Sequence, residues 1–357
     1  MQWKTVGGIE INNEILFFGI DLSNDLYSWN INENHQVINF KKLDGKWKQL
    51  SNSYNHLLLI DDNNQLFGIG ENDRNQLGLF NNNDNVTKLT KIDGFKNVTY
   101  VKCKNLTSMI INNDRLYNFG RKIFFDRKDN FDVNFKIPCT PENLKLVDFG
   151  DDYIYILTKN NLLYSLGNNK KNKLCQGYIL TRTKNFNRID LATVQFKDIY
   201  CAKNNLNTYM LTIDGKLYVV GERCYKRNID RLFKNYKILN LKNNYVITED
   251  NDIFYIYINF FNKEKYIDIK VKDIFEISYN EYFLDMNNEL YILKSRNDYS
   301  KINFQQENNY NNEIKDVNNS SNEVIENTNN VNYNFTFNFS GEMSLTKLQE
   351  IVKILNN

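Results

Sequence analysis

Two histidines, His35 and His56, are the only side chains of this 357-residue sequence that titrate near neutral pH without a perturbing environment. Acid–base chemistry would therefore fall mainly to carboxylates and lysines. The sequence holds no GxxxxGK phosphate loop, no His-Glu-x-x-His and no Gly-x-Ser-x-Gly. Its five cysteines show no paired close spacing, which argues against a disulfide framework or a zinc ligand set. Cys103 and Cys201 occupy equivalent strand positions and read as small core residues; His56 reads as a structural hydrogen-bonding group. No catalytic, cofactor or metal residue is assigned, and a non-enzyme is expected. What remains is charge in loops: Arg121 and Lys122, then Lys170, Lys171 and Lys173, then Arg223, Lys226 and Arg227. Each cluster follows the second strand of a hairpin, so all three are expected on one side of the fold. They would face acidic groups of a protein partner in a salt-sensitive association, or else be solvated loop charge.

The elements that would position these loops recur. Seven times an apolar run meets a polar turn and then a Leu-Tyr-like pair opening a second apolar run, as in LYSWN, LFGIG, LYNFG, LYSLG, LYVVG, IFYIY and LYILK. These second strands begin at 26, 66, 116, 163, 217, 253 and 290. The steps between them are close to the roughly 40–50 residues of one propeller blade. A further strand precedes each hairpin: 3–6, 47–50, 98–103, 144–149, 197–202, 237–241 and 273–278. Tyr, Phe, Ile and Val suit a pleated, half-buried surface, and the Asp, Asn and Gly turns tolerate the left-handed backbone that tight hairpins require. Together they predict an all-β, seven-bladed propeller over residues 1–304.

The remainder differs in composition. Asparagine accounts for 63 of the 357 residues and is densest after Lys301. Residues 305–332 are too poor in apolar side chains to offset the entropy of ordering and are read as a flexible insert. The alternation of Tyr333, Phe335, Phe337 and Phe339 predicts a strand over 333–339 that closes the ring, and Leu345, Leu348, Ile351, Val352 and Leu355 share one face of a short helix over 344–355. Forty-five basic against 43 acidic residues give a net charge of +2, which signals neither a general nucleic-acid binder nor an acidic-membrane binder. No stretch has the length of a membrane span or the apolar core of a signal sequence. A monomer in a reducing compartment is expected, the cytoplasm first and the nucleus second.

One loop selects among propellers. Residues 66–79, LFGIGENDRNQLGL, resemble the repeat of the regulator of chromosome condensation family, with Gly70, Asn72, Gln76, Leu77 and Gly78 at the motif positions. A second unit keeps Gly167, Asn169 and Leu174 but has Lys173 and Cys175 where Gln and the second Gly belong. Two others keep only the strand-ending Gly120 and Gly221. These motif residues are expected to be structural. The resemblance implies a scaffold that binds a protein through one loop face. The alternative is a guanine nucleotide exchange factor or other regulator of a small GTPase, as in the family's best-known member; an enzyme with a pocket in the central channel is the third reading.

Overall fold

The computed structural model describes residues 1–79, 85–120, 132–176, 181–190, 194–202, 207–221, 237–242, 245–255, 267–277, 280–295 and 298–304. All of them lie in the first of the two units into which the chain divides, Met1–Gln306. That unit is an all-β propeller. Its first sheet holds β1 (Trp3–Ile11), β2 (Glu14–Asp21), β3 (Asp25–Ile31), β4 (Val37–Asn52), β5 (His56–Asp61), β6 (Leu66–Gly70) and β7 (Val86–Lys91), hydrogen-bonded in chain order. A second holds β8 (Val98–Lys104), β9 (Thr107–Asn112), β10 (Arg115–Gly120) and β11 (Asp132–Lys136), and a third β12 (Leu144–Phe149), β13 (Tyr153–Thr158), β14 (Leu163–Asn168) and β15 (Arg182–Ile189). Two three-stranded sheets follow, β16 (Phe196–Cys201) with β17 (Asn207–Thr212) and β18 (Leu217–Gly221), then β19 (Ile238–Lys242) with β20 (Tyr245–Thr248) and β21 (Ile253–Tyr255). The last is β22 (Val271–Ile277), β23 (Asn280–Asp285), β24 (Leu290–Ser295) and β25 (Asp298–Lys301).

The expectation of seven separate sheets needs correction. Five sheets have the three or four strands of a single blade, and the remaining one has seven. The cause is β4, whose residues 37–46 pair with β3 and whose residues 47–52 pair with β5. Just before the changeover Gly45, at φ +86, turns the strand without interrupting it. All seven hairpins read from the sequence are present as antiparallel pairs. The outermost strands β7, β11, β15 and β25, by contrast, had no sequence signal. Segments such as VTKLTK and RTKNFNRI present mostly exposed or half-exposed side chains and lack the apolar run that marks the others. There is no α-helix among the described residues. The insert 305–332, the closing strand 333–339 and the helix 344–355 lie outside the described residues.

A shared irregularity shows that the repeats are equivalent. Each strand that precedes a hairpin shifts register after the first residue it pairs with that hairpin, at Trp3/Thr5, Trp47/Gln49, Val98/Tyr100, Leu144/Leu146, Phe196/Asp198, Ile238/Asn240 and Val271/Asp273. The residue after each shift is apolar and buried: Val6, Leu50, Val101, Val147, Ile199, Leu241 and Ile274. A bulge in the same place in every repeat sets the same apolar side chain into the seam beside it.

Seven apolar clusters fill the seams between consecutive repeats, from Ile9, Phe18 and Trp47 at the first seam round to Trp3, Trp29, Phe275 and Tyr282 at the last. The last seam joins the end of the propeller to its beginning. Trp29 stacks on Phe17 and Trp3, Tyr282 meets Phe17 edge-on, and Val37 N–H donates to the Asn303 carbonyl at 2.8 Å. Polar bonds supplement the apolar seams. His56 shares a 2.7 Å hydrogen bond with Ser108 of the next repeat, the Thr208 hydroxyl meets that of Tyr153 at 3.1 Å, and the Tyr245 hydroxyl donates to Glu281. Each bond runs from the start of one repeat's hairpin to the start of the next one's.

Burial in the second of these seams pulls the His56 pKa from its ordinary 6.5 to about 3. Because the folded pKa lies below the unfolded one, the neutral ring's contribution is complete above pH 6.5 and is lost as pH falls toward 3. Between pH 7 and 5 the wild type should therefore lose about 2 kcal/mol of stability relative to His56→Gln, which has no proton to bind there. Parallel urea melts of the two proteins at both pH values check this; equal losses would refute it.

Candidate functional site

The motif loops are built on buried asparagines. After β6, Asn72 is fully buried; its Oδ1 accepts the Leu77 N–H at 3.0 Å and its Nδ2 donates to the Leu79 carbonyl at 2.8 Å. After β14, Asn169 Oδ1 accepts the Leu174 N–H at 2.9 Å, the same bond over the same five-residue span. Leu77 and Leu174 are both fully buried, each in the seam before the next repeat. Inside the first loop Gln76 Oε1 accepts the Arg74 N–H at 2.9 Å and Nε2 donates to Asp73 at 3.1 Å, so the motif Gln is a loop brace. Gly78 has φ +77 and Cys175, its counterpart, keeps the left-handed backbone at φ +54. Gly70, Gly120 and Gly221 end their strands at positive φ, and Gly167, one residue before the end of β14, has it too. At Gly70 and Gly120 a β-carbon would stand 2.2 Å from the carbonyl oxygens of Asn55 and Leu106, so the close approach demands glycine.

The basic residues divide. Arg121, Lys122, Arg223, Lys226 and Arg227 lie outside the described residues. Lys170 and Lys171 stand in a single 3-10 turn, Lys170–Asn172, and Lys170 is exposed. Lys173 is a correction: its side chain is 5% exposed, its ammonium lies 2.7 Å from Asp152 and 4.9 Å from the centre of the Tyr153 ring. The turn that lets Asn169 reach Leu174 carries Lys173 inward, so it is a buried strut and not part of a partner surface. The outward charges that the first loop does offer, Asp73 and Arg74, each 57% exposed, had not been singled out in the sequence.

A second constellation lies on the propeller axis, where a cavity of about 310 Å³ touches all seven bulged strands. Lys104, 6% exposed at the end of β8, donates to Asp148 Oδ1 and Oδ2 at 3.2 and 3.0 Å and to the carbonyls of Phe149 and Cys201. Its ammonium also sits 4.7 Å from the Tyr200 ring centre. Asp148 in turn accepts the Cys201 N–H at 2.7 Å, so one lysine and one aspartate tie three consecutive repeats. Burial lowers the Lys104 pKa while Asp148 opposes the shift. Beside it Lys102 remains 39% exposed; burial opposes its charge, but the carboxylates of Asp148 and Asp198 outweigh that and raise its pKa. On the far side Lys242 pairs with Asp273 at 2.6 Å. Sequence reasoning missed this site, because a lone Lys in VTYVKCK and a lone Asp in LKLVDF meet only through the ring.

One arrangement mimics a catalytic pair. His56, Ser108 and Cys103 form a chain, with Ser108 Oγ 2.7 Å from His56 and 3.4 Å from the Cys103 sulfur. Histidine and serine are fully buried, and burial pushes the Cys103 thiol up to about 11, so the chain is a seam bond and the thiol is inert. Cys201 is likewise shifted upward by burial. Among the described residues no group of three or more His, Cys, Asp or Glu is placed to hold a metal ion, and no helix is long and apolar enough to cross a membrane.

No family profile and no curated protein matches this chain. Solved structures do. Human WBSCR16 is similar at 14% identity over 81% of this chain and 79% of that one, with a TM-score of 0.46. Prp20p of Saccharomyces cerevisiae, whose structure is described with its binding to Gsp1p and histones, is similar at 15% identity over 80% and 70%, with a TM-score of 0.43. The CRINKLY WD40 ectodomain of the Arabidopsis thaliana receptor kinase ACR4 is similar at 9% identity over 85% and 96%, with a TM-score of 0.49. At such identities the likeness concerns fold alone.

Removing Lys104 alone leaves Asp148 buried with only the Cys201 N–H and the more distant Lys102, a loss of up to about 3–5 kcal/mol. Lys104→Met should therefore be severely destabilised. The double change Lys104→Met with Asp148→Asn, which keeps an acceptor for the Cys201 N–H, should be more stable than the single one. Chemical denaturation of the two variants checks the order; a double variant less stable than the single one would contradict the assigned role of the pair.

Proposed function

We propose that the chain is an interaction scaffold, a divergent seven-bladed propeller of the regulator of chromosome condensation type, that binds a protein partner through the face carrying loops 71–79 and 169–175. The seven-stranded sheet counts as two blades joined through β4, which makes one blade for each bulged strand. The observation that carries the functional reading is the buried-asparagine clamp. It fixes two loops by the same bond while leaving Asp73, Arg74 and Lys170 in solvent. A rigid loop with charged tips loses little conformational entropy on binding, and charge at its rim sets association rate and partner choice. The reading as a non-enzyme is supported by the axial cavity, where Lys104, Asp148, Lys242 and Asp273 are engaged in bonds between repeats. Free thiols at Cys103, Cys139, Cys175 and Cys201 suit a reducing compartment such as the cytoplasm, in which the protein would act as a monomer.

The test is capture of a partner by immobilised wild type and by the charge-reversed pair Arg74→Glu, Lys170→Glu at low and at moderate salt. A protein held by the wild type at low salt and lost by the variant, which melts normally, supports the reading. Equal capture by both removes these loops from it. Accelerated nucleotide release from any of a panel of purified small GTPases would replace the scaffold reading with that of an exchange factor.

A further inference from the structure

The axial cavity contains three polar groups that the ring leaves short of partners. Lys102 makes one ion pair among the described residues, to Asp148 Oδ1 at 3.9 Å, which is beyond hydrogen-bond reach. Asp148 is already committed to Lys104 and to the Cys201 N–H. Asp198 has no ion pair among the described residues; its Oδ1 accepts only the N–H of its own neighbour, Ile199, at 2.7 Å, and burial raises its pKa. Tyr200, two residues further along the same strand, is 6% exposed, and its hydroxyl has no hydrogen-bond partner. All three residues line the cavity. Of the three, the Tyr200 hydroxyl is buried without a partner, which costs roughly 1–3 kcal/mol, whereas Lys102 and Asp198 stand partly open to the cavity with bonding capacity to spare.

From these groups we infer that the axial cavity is a binding site for a small zwitterion carrying an ammonium and a carboxylate, the chemistry of a free α-amino acid. The ligand's carboxylate pairs with the Lys102 ammonium and its ammonium with the Asp198 carboxylate. A simple anion would satisfy Lys102 and leave Asp198 unpaired, and a simple cation would do the reverse. Space is sufficient, because a volume of about 310 Å³ corresponds to roughly ten waters at about 30 Å³ each. Of the neighbouring charges, Lys104 is held by Asp148 and Lys242 by Asp273, and Glu276 adds a further carboxylate to the lining. The site lies on the axis and uses none of the loop residues assigned to the partner face, so it stands or falls independently of the scaffold reading.

The experiment is thermal melting and isothermal titration of the full chain with each of the common free α-amino acids, and with propylamine and propionate as the two half-ligands. At least one amino acid should raise the melting temperature saturably, as mass action requires of a ligand that binds only the folded state. Propylamine and propionate alone should not. Lys102→Met and Asp198→Asn should each weaken binding at least about tenfold, while Lys102→Arg retains it and Lys170→Ala, on the loop face, leaves it unchanged. Failure of every amino acid to bind the wild type overturns the inference, whatever the variants do. So does binding that survives both axial substitutions, or a half-ligand that binds as well as the zwitterion. If an axial variant does not fold, the wild-type panel and Lys102→Arg still decide the question.

Discussion

Each repeat turns one strand edge toward the propeller axis, and no neighbouring strand pairs with that edge. Its N–H and C=O groups must still be satisfied, since buried backbone groups are rarely left unbonded. The bulged strands meet this demand with side chains. Gln49 both donates to the Val101 carbonyl and accepts the Val101 N–H, and the Tyr100 hydroxyl does the same for Val147 in the next repeat. Where the preceding repeat offers Leu146, which has no polar atom, Asp198 instead accepts the N–H of Ile199 itself. Asn240 and Asp273 copy that solution for Leu241 and Ile274. The same backbone atom is thus served either by a long side chain from the previous repeat or by a short one from its own. The choice fixes what faces the axis: long residues close the gap between strands, whereas the short carboxylate of Asp198 keeps most of its bonding capacity.

That constraint also accounts for the uneven distribution of charge. Early in the ring Gln49, Ser51 and Tyr100 bridge the strands without charge. In the middle the task passes to Lys104 and Asp148, a buried ion pair whose attraction must offset the desolvation of both partners. It does so here through geometry, because the ammonium meets two carboxylate oxygens and two carbonyls, and the carboxylate meets a further N–H. Closure at the last seam adds a third device to polar bonds such as those from Val37 N–H to the Asn303 carbonyl and from Asn52 Nδ2 to the Glu276 carbonyl. It relies on Trp3, Trp29, Phe17, Phe275 and Tyr282, large rings that bury area without needing exact register. The first seam is thus continuous through β4, the last is dominated by aromatic packing, and the buried ion pair is confined to the interior of the ring.

Strands that bury an apolar face were legible from the sequence. TSMIIN, YIYILT and NTYMLT are buried along their whole length, and such runs stand out in any reading. Outer strands were not legible, because RTKNFNRI and VTKLTK are mostly solvent-facing and resemble loops in composition. Asparagine content was legible only as an oddity. Of the fifteen non-glycine residues described at positive φ, thirteen are asparagine, so much of the enrichment serves turns that other sequences would give to glycine. The Asn72 loop is held together by its own buried hydrogen bonds. The axial site was invisible, because its lysines and aspartates come from strands about fifty residues apart and each one alone looks like an ordinary polar strand position.

The two Asn-clamped loops also separate what the motif needs from what it merely tends to contain. Both keep the asparagine and the leucine five residues on, and both keep a left-handed asparagine midway, Asn75 at φ 58 and Asn172 at φ 57. The clamp, the turn and the plug are therefore the mechanical parts. Glutamine and the second glycine are exchangeable: Lys173 replaces the former by anchoring to Asp152 outside the loop, and Cys175 tolerates the backbone that Gly78 adopts. The replacements have opposite effects on the tip. Gln76 turns inward to brace Asp73 and Arg74, holding both charges in one orientation, whereas Lys173 draws its own charge out of solvent and leaves Lys170 as the outward cation of its turn. The two loops therefore share one backbone geometry while displaying different charges, since the clamp depends on the asparagine and leucine and not on the residues between them.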